Sequence, residues 1–81
     1  MENQNVKELL AYIVSSLVQN PDAISISEVE SGDTLTLQLR VAPDDMGKVI
    51  GRQGRIAKEI RALVKAYGLR DGHKVMVDIL D

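Results

Sequence analysis

The sequence predicts a small α+β domain in which a three-stranded sheet is covered on one face by three helices, in the order α-β-β-α-α-β. Three observations support this fold class. Apolar residues at helical spacing lie near the N-terminus, two segments of alternating apolar residues follow, and a glycine pair then separates two further helical patterns before a last alternating segment. At 81 residues the chain is expected to form one domain over residues 1–81.

The first element is a helix predicted at about residues 5–19. Asn5 and Glu8 fit a capping box at its start, and Asn20 followed by Pro21 is expected to end it. The apolar residues follow a 3,1,3,1,3,1 spacing, which places them on one helical face. They are Val6, Leu9, Leu10, Ile13, Val14, Leu17 and Val18.

Two strands joined by a short turn follow the helix. Residues 23–30 alternate until Val29, which hints at a bulge or the end of the strand. Residues 34–41 alternate cleanly, with three leucines and Val41 on one face and polar residues on the other. With Ser-Gly-Asp at 31–33 as the turn, the two strands are predicted to form a hairpin with one buried face.

A short helix is predicted after Pro43, because Asp44 or Asp45 can cap an element that runs to about Ile50. The glycine pair and a longer helix come next, with Gly68 expected as the first residue beyond the end of that helix. The predicted buried face of this longer helix comprises Ile56, Ile60, Leu63, Val64 and Tyr67. A last strand at about 73–80 is expected to bury Val75, Val77 and Ile79.

The most informative motif is the Gly-x-x-Gly turn Gly51-Arg52-Gln53-Gly54 between the two predicted helices. A glycine at each end permits a sharp bend and leaves no Cβ to block the approach of a ligand, so a polyanion backbone can lie against the turn. Replacement of Gly51 by Asp is therefore expected to damage a binding loop and leave the core largely intact. A plain connection between two helices is the weaker interpretation of the motif.

The charge distribution favours an anionic ligand at this turn. The chain carries a formal net charge of −2, but residues 46–70 contain seven basic residues and one acidic residue, so this segment carries +6 and the remainder −8. Charges are screened over about 8 to 10 Å at physiological salt, so a ligand at the turn responds mainly to the local excess. The overall charge is therefore a poor guide to the partner.

Composition excludes several classes of function. There is no cysteine, Phe or Trp, and only two tyrosines are present, which argues against disulfides, zinc sites and RNA recognition by a sheet of exposed rings. A lone histidine, His73, is expected to be structural rather than a metal ligand or general base. No nucleophile-base pair is evident, so we expect neither an enzyme nor a bound metal or cofactor. No export signal or membrane span is expected, which favours the cytoplasm.

The element order, together with Val49-Ile50 before the turn and Arg55-Ile56 after it, resembles the type II, bacterial form of the KH domain. The resemblance covers nearly the whole chain and is closest to the small stand-alone KhpA-type proteins. It implies binding of single-stranded RNA with little sequence preference, with about four nucleotides clamped at the GxxG loop 51–54. It also implies that the backbone N–H groups of residues 52–55 approach the phosphates.

The same resemblance carries RNA-binding roles onto nine positions of this sequence. The glycines shape the turn, the basic residues and Gln53 contact phosphate or sugar, and two isoleucines border an apolar groove for the bases. The positions are Lys48, Ile50, Gly51, Arg52, Gln53, Gly54, Arg55, Ile56 and Lys58. Arg61 and Lys65 share the basic side of the helix and are weaker candidates, because a solvated face has the same pattern.

Partners and cellular role are implied by the resemblance alone. KhpA-like proteins self-associate and pair with a larger KH protein of the KhpB or Jag type, in a context linked to cell-envelope growth, division and cell shape. The chain is thus expected to act as an RNA chaperone or post-transcriptional regulator, as a homodimer or a heterodimer. The alternative is a protein-interaction module that dimerises through the KH fold and binds little RNA of its own.

Overall fold

The computed structural model describes residues 3–70 and 72–80. The helices are α1 (Asn3–Ser15), α2 (Met46–Ile50) and α3 (Arg55–Arg70), and the strands are β1 (Ser25–Ser31), β2 (Thr34–Arg40) and β3 (Lys74–Ile79). Short 3-10 turns lie at Pro21–Ala23, Pro43–Asp45 and Arg52–Gly54. The predicted α+β class and the order α-β-β-α-α-β are confirmed.

The sheet is mixed and has β2 at its centre. β1 pairs with β2 antiparallel, from Ser25 opposite Arg40 to Ser31 opposite Thr34, and β3 pairs with the other side of β2 in parallel. The β1–β2 register is uninterrupted and β1 runs on to Ser31, so both the bulge and the strand end suggested at Val29 are wrong. Val29 instead lies on the face of the sheet that the helices do not cover, where an apolar side chain can stay partly exposed.

The core lies between the helices and one face of the sheet. The predicted apolar stripe of α1 and the alternating leucines of β2 are its main contributors, because both patterns place every apolar residue on the covered side. Its buried members are Val6, Leu10, Val14, Leu35, Leu37, Leu39, Val49, Ile60, Val64, Val75 and Val77. Leu63 was expected there, but its side chain is 58% exposed, since it lies about 100° from the centre of the buried stripe of α3.

α1 ends at Ser15 rather than near residue 19, and it begins before Asn5, which therefore lies inside the helix and not at its cap. The hydroxyls of Ser15 and Ser16 both donate to the carbonyl of Tyr12 at 2.9 Å. Such side-chain bonds compete with the helical ladder. The chain then continues to the 3-10 turn at Pro21–Ala23 and into β1.

α3 runs through Gly68 to Arg70, so the prediction that Gly68 follows the helix end is wrong. A Cβ at Gly68 would lie 2.4 Å from the Val75 side chain, which shows that the glycine lets α3 pack closely on β3. The helix is closed by bonds from the Gly72 N–H to Leu69 O and from the His73 N–H to Gly68 O. Gly72, with φ 78°, takes the left-handed position after the helix.

Candidate nucleic-acid interface

The loop between α2 and α3 depends on positive φ angles at three residues. Gly51 has φ 76° and ψ 175°, Gln53 has φ 58°, and Gly54 has φ 73°. The N–H of Gly51 donates to Gly47 O at 2.9 Å and so ends α2. The chain reverses within four residues, and the N-terminus of α3 begins at the turn.

The two glycines differ in their surroundings. A Cβ at Gly51 would lie 2.6 Å from Ile56 Cγ1, whereas a Cβ at Gly54 would meet nothing within 4 Å. Ile56 packs against the core, so the structure contradicts the expectation that Gly51 can be replaced without disturbing the interior. The open side of the loop is at Gly54, where a ligand backbone has room to approach.

The backbone N–H groups of the loop are not all available to a ligand. The Gly54 N–H donates to Gly51 O at 3.1 Å, and the Arg55 N–H donates to Arg52 O. Within residues 3–70 and 72–80, no group accepts from the N–H of Arg52 or Gln53. The set of four donors implied by the resemblance is thus reduced to two.

The loop side chains form a cationic rim. Arg52, Gln53, Arg55 and Lys58 are all exposed. An Arg55 Nη2 donates to Gln53 Oε1 at 3.3 Å, which leaves the Gln53 amide nitrogen available as a donor. Arg52 has no carboxylate partner among the described side chains, so its charge faces solvent uncompensated.

Lys48 is held by Asp45, the one buried charged side chain among the described residues. The Lys48 ammonium lies 3.4 Å from Asp45 Oδ1, and its side chain is 41% exposed. The Asp45 carboxylate also accepts from the Gln19 N–H at 3.1 Å, the Asn20 N–H at 3.0 Å and the Asn20 side-chain amide at 3.1 Å. The carboxylate therefore joins the segment that follows α1 to the start of α2.

This role of Asp45 corrects the prediction that Asp44 or Asp45 caps α2 through its side chain. Asp45 stands at the cap position, but its carboxylate makes no bond to the N–H groups of α2. Burial acts to raise the pKa of the Asp45 carboxyl, but hydrogen bonds from the Gln19 N–H, from the side chain and N–H of Asn20, and from Lys48 outweigh it, and the pKa lies below its ordinary value. The carboxylate thus stays ionised and fixes the helix that leads to the loop.

The two isoleucines predicted to border a base groove, Ile50 and Ile56, are each half-buried. Both pack against the core on one side. Since Ile50 ends α2 and Ile56 lies in the first turn of α3, they flank the loop on its two sides. Their partly exposed surfaces form apolar margins next to the cationic rim.

A groove lies along the junction of α3 and the outer edge of β3. It has a volume of about 560 Å³, and its walls are more apolar than polar. Arg61 crosses part of it, because its Nε donates to Val77 O at 3.1 Å. The groove is lined by Thr34, Arg61, Lys65, Leu69, Lys74, Val75, Met76, Val77 and Asp78.

The charge at this groove is also mainly positive. Arg61, Lys65 and Lys74 line it with a single acid, Asp78, although Asp33 offsets part of the charge of Lys74 at 3.5 Å. Met76 adds apolar surface that is 58% exposed. Sequence reasoning treated the two α3 cations as weak candidates and missed the β3 residues. The alternation of β3 was the available signal, because burial of residues 75 and 77 places residues 74, 76 and 78 on the other face.

The described part of the chain offers neither a metal-binding cluster nor a membrane-spanning helix. It contains no group of three or more His, Cys, Asp or Glu side chains that could hold a metal ion. None of its helices is long and apolar enough to cross a membrane.

Known proteins match this chain over most of its length. The family model described as "KhpA/KhpB, KH domain" matches residues 7–79. RNA-binding protein KhpA of Caldanaerobacter subterraneus subsp. tengcongensis is 49% identical over 73 residues, covering 90% of this chain and 97% of that protein. RNA-binding protein KhpA of Clostridium acetobutylicum is also 49% identical, over 93% of this chain and 100% of its own length.

Solved structures share the fold. A crystal structure of Aquifex aeolicus Era bound to GDP·AlF4− matches 91% of this chain and 29% of the Era chain, with a TM-score of 0.65 and 20% sequence identity. A structure of Era in complex with MgGDPNP and a segment of 16S ribosomal RNA matches with the same TM-score and identity. At this identity the likeness concerns the fold alone.

Proposed function

The chain belongs to the KhpA/KhpB family of KH domains, and on that premise we propose that it binds single-stranded RNA, with the backbone of about four nucleotides clamped at residues 51–54. The observation that carries this proposal is the open side of the loop. Two backbone N–H groups without an acceptor, an unpaired Arg52 and the empty space at Gly54 lie together there. This combination suits a phosphate group.

The charges around the loop support a polyanion rather than a neutral ligand. Arg55 and Lys58 continue the positive rim along the first turns of α3, whose N-terminus favours negative charge. Lys48 contributes on the other side, although Asp45 offsets part of its charge. In this proposal Arg52 makes the strongest phosphate contact, and Gln53 bonds to phosphate or sugar through its free amide nitrogen.

The bases are proposed to lie toward the groove between α3 and β3. Arg61 lies six residues after Arg55, which is about 9 Å along the helix, so a strand held at the loop can reach the groove. Ile50 and Ile56 form the apolar margins nearest the loop, and Met76 lies farther along. Because aliphatic surfaces replace aromatic rings, one domain is expected to bind weakly and with little sequence preference.

Relatives named as RNA-binding proteins support this function. The finer roles remain proposals that rest on the family resemblance. They are action as an RNA chaperone or post-transcriptional regulator in the bacterial cytoplasm, together with a KhpB or Jag-type KH protein and in a process that affects cell shape.

The clamp is tested by fluorescence anisotropy of a mixed-sequence single-stranded RNA. Arg52→Asp is compared with Arg40→Asp, which makes the same charge change at an exposed position at the end of β2, outside the loop. Arg52→Asp is expected to weaken binding about tenfold or more, since charge-assisted bonds contribute about 1.5 to 3 kcal/mol. The double variant Arg52→Asp/Gln53→Asp should abolish measurable binding.

The salt dependence gives a second readout. Contacts to three or four phosphates of a single strand predict a log-log slope of about −2 to −3 for the wild type. Circular dichroism of each variant checks that it is folded. Equal affinities of Arg52→Asp and Arg40→Asp, or a slope near zero, would contradict the clamp.

A second candidate function, a protein-interaction module, is favoured by the outer face of α3. Leu63 is 58% exposed there, and Ala62 and Ala66 on the same side of the helix are exposed as well. A second copy or another KH domain could cover Leu63 without blocking the loop. Sedimentation of the wild type and Leu63→Glu tests this, and a monomeric wild type at high concentration would argue against it.

A further inference from the structure

Arg61 joins α3 to the edge of β3 at the middle of the groove. Its Nε donates to Val77 O at 3.1 Å, and Val77 itself is fixed, since its side chain is buried and its backbone is paired in register with Leu37. The guanidinium is therefore attached at one end to a rigid strand. An arginine held in this way loses less conformational entropy when it binds a ligand.

The other end of the guanidinium is unused. Of its five N–H groups, only the one on Nε has a described acceptor. Asp78 lines the same groove, but neither of the described ion pairs includes it. The two Nη groups are thus presented to the groove as a planar fork in a fixed position.

From this geometry we infer that Arg61 selects a base edge with two adjacent hydrogen-bond acceptors, and so favours guanine or cytosine over adenine and uracil at one position of the bound strand. The inference rests on the proposed RNA-binding function. A planar fork bonds in parallel to guanine O6 and N7 or to cytosine O2 and N3. Neither adenine nor uracil has two adjacent acceptors: the amino group of adenine lies beside N1 and N7, and the N3–H of uracil lies between O2 and O4.

The surroundings of Arg61 suit a base in this place. Leu69 and Met76 are more than half exposed in the same groove and can contact the face of the base. Lys65 lies on the wall, where it can pair with a phosphate next to the base. Lys74 also lines the wall, but its ammonium already lies 3.5 Å from Asp33 Oδ2. In a single strand the Watson–Crick and Hoogsteen edges of a base are both accessible. Arg61 can therefore reach guanine or cytosine without breaking a base pair.

The test measures binding of short oligouridines in which one residue is replaced, position by position, by guanosine, cytidine or adenosine. For the wild type, guanosine or cytidine at one position should strengthen binding about 5- to 10-fold, the lower end of the range for a bidentate contact, because the site is partly exposed. Adenosine should give no gain. A guanosine preference should be lost when 7-deazaguanosine removes N7, which identifies the edge that is read.

Arg61→Lys separates selection from charge, because lysine keeps the cation and lacks the planar fork. This variant should bind plain oligouridine with the wild-type salt slope and show less than about a twofold preference among bases. Arg70→Lys, the same change at an exposed position of α3 outside the groove, should keep the preference.

Three results would overturn the role of Arg61 while the clamp still stands: equal wild-type binding of all four bases, a preference that persists in Arg61→Lys, or a guanosine preference that survives the 7-deaza replacement. Failure of the wild type to bind any RNA would overturn this role and the proposed function together. When the wild type does bind, the loop variants test the clamp separately, because they should weaken binding of every oligonucleotide whatever its base.

Discussion

Gly51 and Gly54 have nearly the same φ but different surroundings, so alanine substitutions should separate the two. At Gly54 the added Cβ meets nothing within 4 Å, and the expected loss of stability is about 1 kcal/mol, the cost of the left-handed backbone for a residue with a side chain. At Gly51, ψ is 175° as well, a combination that only glycine adopts without a cost of about 1 to 3 kcal/mol.

The Cβ added at Gly51 also collides with the core. It would lie 2.6 Å from Ile56 Cγ1 and 2.9 Å from Ile56 Cβ, so Ile56 must move away from the buried residues that it contacts. Displacement of this kind costs about 1 to 3 kcal/mol. The two costs together amount to about 2 to 6 kcal/mol for Gly51→Ala, which is a large part of the roughly 4 to 12 kcal/mol expected for a domain of this size.

Urea denaturation followed by far-UV circular dichroism measures both variants. Gly32→Ala is the matched control, because Gly32 has φ 62° in the β1–β2 turn and its Cβ would also meet nothing within 4 Å. It should lose about as much stability as Gly54→Ala. If the free energies of unfolding of Gly51→Ala and Gly54→Ala differ by less than about 0.5 kcal/mol, the close contact between Gly51 and Ile56 does not explain why glycine is needed at position 51.

Two further predictions concern packing and pH. Gly68→Ala should destabilise the fold by about 1 to 3 kcal/mol in urea denaturation, because the added Cβ would lie 2.4 Å from Val75 Cγ2. This loss is expected even though alanine favours a helix over glycine by about 1 kcal/mol. A gain in stability would contradict the close contact. The pKa of the Asp45 carboxyl is lowered in the folded protein by its bonds to Gln19 and Asn20. The carboxylate therefore stabilises the fold at pH values above its ordinary pKa of 3.8. This contribution is lost as the pH falls through the folded-state pKa. Asp45→Asn should therefore lose less stability than the wild type between neutral pH and about pH 3, and an equal loss would show that the carboxylate is not linked to folding.

Much of the fold was predictable because its signals are local. The spacing of apolar residues in α1 and the alternation in β2 are properties of consecutive residues, and each pattern has one helical or strand arrangement that buries it. The loop was predictable for the same reason, since Gly51 and Gly54 are required by the backbone of four successive residues. The nine candidate RNA contacts rest on the family resemblance and stay predictions.

The errors lie where residues distant in sequence meet. Gly68 resembles a helix terminator when only its neighbours are considered, but its contact with Val75 explains a glycine inside α3. Leu63 fits the apolar stripe of α3 by its spacing. The sheet, however, covers the neighbouring side of the helix, so Leu63 stays exposed. Spacing gives the period of a helix, whereas the packing partner decides which arc is buried.

The sequence by itself determined the order of the elements, the glycine loop and the local excess of positive charge, because these depend on residue types and their spacing along the chain. Only the tertiary structure decided that Asp45 binds a segment 25 and 26 residues away and that Arg61 reaches the Val77 carbonyl 16 residues later. Hydrogen bonds require donor and acceptor to approach within about 3 Å. Such distances are fixed by how α3 packs on β3 and by how the segment after α1 meets the start of α2, and no local pattern specifies them.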